Sequence, residues 1–448
     1  MSSDLSDLTK ALLAAATRAG ADAADAIAIN TRSVSVSVLD GALETAERSE
    51  GTEAGLRVFV GKRQATVAGS DLRPEAMAEM AERAVAMAKI APEDPNAGLA
   101  DPDQLARDTD PAPLDLFDPA ARPAPDALEA TALTAEAAAR AVQGVTQVQS
   151  VGAGYTDRSI WLSATNGFSG GYARSSHAVS AVAISGSGLK MERDYFGEMR
   201  SHLSDLPDAE EIGRIAGERA AAREGSSKPP TGAWPVLYDE RVSSALISHL
   251  LSAINGNSIA RGASWLRGAM GEAVLPAGLD LVEEPRRRRT AGSRPFDAEG
   301  LPTSDRTLVE DGVLKGWLLD LAAARKLGLP PTGNAVRGTG GAPSPGSGNL
   351  TLTPGDRTRE ELMAEMGTGL LVTSMIGSSI NPTTGDYSRG ASGFWVENGE
   401  IVRPVNECTI AGNLRDMLLT IRPANDARDH TTFRVPSLLV EGLTIAGA

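Results

Sequence analysis

Residues 27–39 alternate with a period of two, placing Val34, Val36 and Val38 on one side and Ser33, Ser35 and Ser37 on the other, before Asp40-Gly41 leads into residues 43–48. A two-residue period fits a half-buried strand and not a helix, and Asp-Gly accepts the positive φ angles of a tight hairpin turn. The same strand-turn-strand pattern recurs over residues 55–60, Gly61-Lys62 and residues 64–68. It returns where Thr165-Asn166-Gly167 separates the runs at 159–163 and 170–186. Hairpins join antiparallel neighbours, so these spacings predict an α+β fold and argue against repeated βαβ units.

Helical spacing is interleaved with these runs. Residues 4–18 carry Leu5, Leu8, Leu12 and Leu13, and residues 74–90 open on Pro74 and align Met77, Met80, Ala84 and Met87. The methionine stripe reads as core, since a thioether fills irregular gaps well. Residues 126–141 and 208–223 predict two further helices. Prolines recur throughout residues 92–125, which reads as an extended surface crossing. Residues 226–232, Ser-Ser-Lys-Pro-Pro-Thr-Gly, mark the boundary between an N-terminal α+β domain (1–225) and a second domain (226–448). In that second domain an amphipathic helix is expected over residues 240–254, stopped by Asn255-Gly256-Asn257, and another over 318–327. Short strands and glycine turns otherwise predict a β-rich, barrel- or sandwich-like domain, with residues 333–348 a long mobile loop.

A formal net charge of -15 disfavours nucleic acid and anionic membrane surfaces as partners and leaves peptides or small molecules. Cys408 is the sole cysteine, so the chain has no internal disulfide and no thiolate metal cage, as expected in the reducing cytoplasm. The acidic start and the short alanine-rich run at 11–16 do not fit a signal peptide, and no apolar run reaches membrane-spanning length.

Common catalytic patterns are missing. His177, His202, His249 and His430 are too scattered for a helical two-histidine metal motif. Gly186-Ser187-Gly188 lacks the spacing of a nucleophile elbow, and Gly338-Thr339-Gly340-Gly341 lacks the lysine and helix start of a phosphate loop. Arg286-Arg287-Arg288-Arg289 reads as a solvated or partner-facing turn, and the sequon Asn349-Leu350-Thr351 is idle in cytoplasm.

The densest turn chemistry lies in residues 373–416. The run Asn381-Pro382-Thr383-Thr384-Gly385-Asp386-Tyr387-Ser388-Arg389-Gly390 is followed by Gly393-Phe394-Trp395-Val396-Glu397-Asn398-Gly399 and then by Thr409-Ile410-Ala411-Gly412-Asn413. This stretch resembles the C-terminal signature of the TldD/PmbA family, on its PmbA (TldE) side. The likeness extends to residues 34–61, to Pro295-Phe296-Asp297-Ala298-Glu299-Gly300 and to residues 328–334.

The resemblance implies a cytoplasmic heterodimer of TldD- and TldE-type chains, a zinc metalloprotease acting on unfolded or modified peptides in an enclosed chamber. Zinc is implied only on the TldD-type partner, on a His-Glu-x-x-x-His helix plus a cysteine, where it acidifies a water whose proton the glutamate takes. By the same resemblance those motif positions fall here on Ser248, His249 and Ala253, and the cysteine position falls near Val435. Both histidine ligands and the base are replaced, so this chain is expected to hold no metal or other cofactor and to be inactive alone. Asn381, Asp386, Tyr387 and Arg389 are the candidate peptide- or partner-contact residues. One alternative is a homodimeric peptide-binding protein of the same fold that adds a peptide to a sheet edge. Another is a metal-independent hydrolase in which Asp386 is the base and Arg389 clamps a carboxylate, against which stands the reading that the two brace one another in a turn.

Overall fold

The computed structural model describes residues 2–120 and 122–447. Its first half is a six-stranded antiparallel sheet: β1 (Ala23–Leu39), β2 (Ala42–Val60), β3 (Arg63–Gly69), β4 (Val145–Ala164), β5 (Ser169–Ser185) and β6 (Glu192–Arg200), in the order β3-β2-β1-β4-β5-β6. The expected alternation of β1 is observed and has a structural consequence at each end. Ala24, Ala26 and Ala28 pack under α1 (Ser2–Arg18) and α2 (Pro74–Ile90). Val36 and Val38, of the same parity, pack with α3 (Pro125–Ala141) and α4 (Ala209–Ala221). Ile27 and Ile29 point to the opposite face, where Phe296 of the second half covers them. Both faces of the sheet are therefore apolar along β1, and each fully buried Ile or Val contributes about 1.5–3 kcal/mol.

In the second half, β7 (Gly232–Tyr238) leads into α5 (Glu240–Ala253) and α6 (Gly256–Arg261). Short strands follow: β8 (Leu281–Glu283), β9 (Arg306–Glu310), β10 (Val313–Leu314), β11 (Ala335–Val336), β12 (Ser344–Pro345) and β13 (Leu350–Leu352), with α7 (Leu321–Leu327) and α8 (Arg359–Met366) among them. The remaining elements are β14 (Gly369–Ile380), β15 (Asp386–Glu397), β16 (Glu400–Asn413), α9 (Leu414–Leu419), β17 (Arg422–Pro423), β18 (Phe433–Arg434) and β19 (Leu438–Ala446). The sheet order β16-β15-β14-β7-β19-β17 is closed by an extra β16–β19 pairing, which makes β7, β14, β15, β16 and β19 a five-stranded barrel. A second sheet runs β10-β9-β8-β13-β18. The barrel, α5 and the second sheet share one core that includes Tyr238, Leu246, Leu250, Trp317 and Trp395.

Several local expectations are corrected. Residues 43–48 and 55–60 belong to one strand, β2, because Glu50 to Thr52 continue the pairing with β1 although they carry no alternating pattern. Asn255 does not simply stop a helix: its side chain accepts the backbone N–H of Asn257 and starts α6. The proline-rich crossing is not confined to the surface, since Ala97, Ala100, Leu114 and Leu116 are buried. The arginine run does not stand free. Arg286 pairs with Asp108, Arg288 and Arg289 with Asp115, and Arg287 donates to the carbonyls of Thr431 and Thr432. Residues 333–348 are not a mobile loop: β11 and β12 form a hairpin, Arg337 reaches Asp25 on β1, and Thr339 lies so close to Gly55 that a Cβ there would sit 2.0 Å from the Thr339 carbonyl oxygen. Among the described residues no helix is long and apolar enough to cross a membrane.

Candidate functional site

Helix α5 starts where the Asp239 carboxylate accepts the backbone N–H of Arg241 and Glu240 adds negative charge to the first turn, both favourable at a helix N-terminus. Its apolar side, Leu246, Ile247 and Leu250, enters the shared core. The other side, with Arg241, Ser244, Ser248 and His249, lines a cleft of about 490 Å³ completed by Tyr195 of β6, residues 373–375 of β14 and Arg389 of β15. Arg428 fixes the helix against the first half: it contacts Glu240 at 2.7 Å and Glu198 of β6 at 2.9 Å. Burial pushes the Glu198 carboxyl up, but His430 at 3.2 Å and Arg200 at 2.5 Å outweigh it and hold the group at about 2. Glu198 therefore stays ionised and holds Arg200 and Arg428 in place.

His249 packs edge-on against Tyr387, ring centroids 5.9 Å apart, and its Nε2 is buried with no hydrogen-bond partner. Burial, and secondarily the charge of Arg389, lowers its pKa below 6.5, so the imidazole is neutral at pH 7. Tyr387 is itself buried, within 3.5 Å of both the Tyr238 hydroxyl and the Met375 sulfur, and burial raises its pKa.

The implied zinc motif can be tested against these positions. Ser248 and His249 reach the cleft, whereas Ala253 is buried in the core. Ser248 uses its hydroxyl on the Ser244 carbonyl. Val435 does approach α5, its carbonyl accepting from Ser243, but it brings an isopropyl side chain and no thiol. Cys408 lies on β16, donates to the Ala391 carbonyl, and burial pushes its thiol up to about 11, the opposite of what a thiolate ligand needs. Among the described residues no three His, Cys, Asp or Glu side chains gather as a metal site. The residues present do not fit a zinc ion.

The four signature residues separate into two groups. Asn381 and Asp386 brace the exposed turn: the Asn381 side chain accepts the N–H groups of Thr383 and Thr384, and Asp386 accepts from Thr384 and Asn413. Tyr387 and Arg389 face the other way, toward His249 and the cleft. Asp386 and Arg389 therefore do not brace one another. An offset of three residues on β15 puts them on opposite faces, and the Arg389 Nε donates instead to the Gly377 carbonyl at 2.8 Å. The same opposition removes the geometry for a hydrolase using Asp386 as base and Arg389 as clamp. Sequence reading missed Tyr195, Arg241, Glu198 and Arg428; a strand edge meeting a helix from the other half leaves no local pattern.

Comparison with known proteins agrees with this architecture. The chain matches PmbA/TldA metallopeptidase domain 1 over residues 24–88, the central domain over 118–224 and the C-terminal domain over 231–447. It is 36% identical to Metalloprotease PmbA of Escherichia coli O157:H7 over 95% of this chain and 92% of that one. It is 34% identical to the Metalloprotease PmbA homolog of Haemophilus influenzae over 96% and 94%. A crystal structure from Bacteroides thetaiotaomicron, described as a candidate modulator of DNA gyrase, superposes with a TM-score of 0.89 at 27% identity, covering 99% of this chain and 98% of that one. TldE from Thermococcus kodakarensis shares the fold, with a TM-score of 0.84 at 21% identity over 98% of this chain and all of the other. By its sequence and its architecture together, the chain belongs to the PmbA/TldA metallopeptidase family.

Proposed function

We propose that this chain is the noncatalytic, TldE-type subunit of a cytoplasmic two-chain zinc peptidase, shaping the peptide chamber and supporting a TldD-type partner that carries the metal. The observation that carries this reading is α5: its cleft-facing positions are serine and a neutral, half-buried histidine, while the third motif position is alanine in the core. A cleft that retains aromatic and cationic side chains without a metal donor set suits holding a peptide better than cutting one. The experiment is co-expression with a TldD-type chain, followed by metal analysis and peptide cleavage. Zinc in the complex but not in the isolated chain, and cleavage only by the complex, is the expected result; robust cleavage by this chain alone would overturn it.

A second reading, a homodimeric peptide-binding protein, draws on β6. Among the described residues this strand pairs with β5 alone, which leaves its other edge without a strand partner beside the α5 cleft, and Tyr195 and Met199 on it are exposed. An extended peptide added to that edge would gain backbone hydrogen bonds and an apolar contact. Light scattering separates the two: a stable homodimer whose mass is unchanged by a TldD-type chain favours the second.

A further inference from the structure

Between the Ile27 and Ile29 face of the first sheet and the docked segments around residues 291–298 and 335–347 lies a cavity of about 250 Å³. Part of its wall is apolar, from Ile27, Ile29, Leu162, Phe296 and Val336. The rest is cationic: Arg158, Arg174, Arg294 and Arg337 line it, with Asp297 the one carboxyl among the lining residues. Arg158 and Arg174 are direct partners in the β4–β5 register, an arrangement of like charges that weakens a sheet unless something compensates.

Compensation within the chain as described is partial: Asp25 meets Arg337, and the Tyr172 ring lies under Arg174. Arg174 donates to the carbonyls of Ala291 and Ser293, and Arg294 to that of Gly333, all uncharged acceptors. Arg337, with a side chain 1% exposed, pairs with Asp25 through one terminal nitrogen only. The Nε atoms of all four arginines and Nη2 of Arg337 are buried without a hydrogen-bond partner. Asp297 already accepts the backbone N–H groups of Glu299, Leu301 and Ala335, and a single carboxyl does not balance four guanidinium groups. Buried, unpaired donors beside an excess of positive charge are costly in an empty cavity and favourable around an anion.

We infer that this cavity is a binding site for a carboxylate carried on an apolar or aromatic group. Guanidinium forks match a carboxylate in bidentate fashion, and the isoleucine and phenylalanine wall would stay uncovered around inorganic phosphate. The volume lies below the ~300–1,000 Å³ of drug-sized ligand sites, which limits the bound group to about one amino-acid residue. Arg158, Arg174 and Ala291 also line a neighbouring cavity of about 410 Å³. That cavity shares Arg428, Thr431 and Thr432 with a third, which shares Arg241 and Ser244 with the α5 cleft. The lining is thus continuous from the arginine pocket to α5. Two sources present this chemistry: a free apolar carboxylic acid, or the C-terminal carboxylate of a peptide lying along the track.

Calorimetry on this chain alone tests the site independently of any partner. The probes are N-acetyl-phenylalanine, its amide, inorganic phosphate, and an N-acetylated octapeptide acid ending in phenylalanine. Both acids are expected to bind one per chain, and the amide and phosphate at least about tenfold more weakly. Arg158→Gln should lose at least about tenfold in acid affinity, yet without ligand it should melt no lower than wild type, because the cross-strand repulsion is gone. A misfolded variant would not show that combination. Tighter binding of the octapeptide assigns the site to peptide C-termini, and equal affinities assign it to a free acid. No heat with either acid, an amide or phosphate binding as tightly as the acids, or undiminished acid binding by Arg158→Gln overturns the inference.

Discussion

Asp25→Asn is expected to destabilise the protein by about 3–5 kcal/mol, the cost of removing one partner from a buried ion pair. The Asp25 carboxylate is 3% exposed and lies between the guanidinium groups of Arg57 and Arg337, which are 5% and 1% exposed. Arg57 also meets Glu299 at 3.6 Å, but burial pushes that carboxyl up to about 8, so at neutral pH Asp25 supplies most of the negative charge for both arginines. Asparagine keeps the shape and one acceptor, so the loss isolates the charge. Because Arg337 belongs to the second half and Asp25 to β1, the substitution should also release the segment that follows β11. Urea unfolding at pH 7 reads the first effect, and trypsin cleavage after Arg337 reads the second. The same change at Asp7, whose pair with Lys10 is exposed, should move stability by less than about 1 kcal/mol. The pH dependence has a definite sign. Burial alone would raise the Asp25 pKa, but Arg337 and Arg57 together take it below 3.8, so its contribution is present above about pH 4 and is lost as acid titrates through the lower folded value. Wild type and variant should therefore converge in strong acid. An Asp25→Asn protein within about 1 kcal/mol of wild type, with Arg337 still protected, would refute the reasoning.

Gly55→Ala should cost about 1–3 kcal/mol and expose the 338–341 segment to protease, because its methyl would overlap the Thr339 carbonyl; an unshifted melting temperature counts against that contact. Glu299→Gln should gain on wild type as pH rises from 5 to 8, by about 1–4 kcal/mol, since wild type alone must ionise a buried carboxyl whose pKa is raised from 4.5 to about 8. A pH-independent difference between the two proteins argues against that assignment. Cys408 should resist a thiol reagent at pH 8 in the native protein and react fully once unfolded, given its burial and a pKa near 11; rapid native labelling would contradict the placement.

What the sequence made legible was local. The alternation of Val34, Val36 and Val38 and the turn at Asp40-Gly41 needed no distant partner to be read, and both are in the structure. Of the signature at residues 381–390, only Tyr387 and Arg389 face His249 and the cleft, because β15 sends alternate residues to opposite sides. The rest depended on register and docking. Arg158 and Arg174 become neighbours through the β4–β5 pairing, and the Gly/Pro/Ser-rich residues 333–348 looked mobile because low-complexity turn chemistry does not reveal a salt bridge to Asp25 or the close approach at Gly55.

The closing pair β16–β19 has a temporal consequence. Strand β7, at residues 232–238, must wait for β14 and β19, which begin at residues 369 and 438, before its two edges are covered. During vectorial synthesis the first sheet, whose strands end by residue 200, has all its partners long before the barrel does. For that interval β7 and α5 would leave the ribosome with their apolar sides uncovered, and sequence separations of this size slow the search for native pairing. The barrel is therefore where folding in the cell would be slowest and a chaperone most useful, and truncations upstream of β19 should yield chains that aggregate through their second half while the first sheet remains protected.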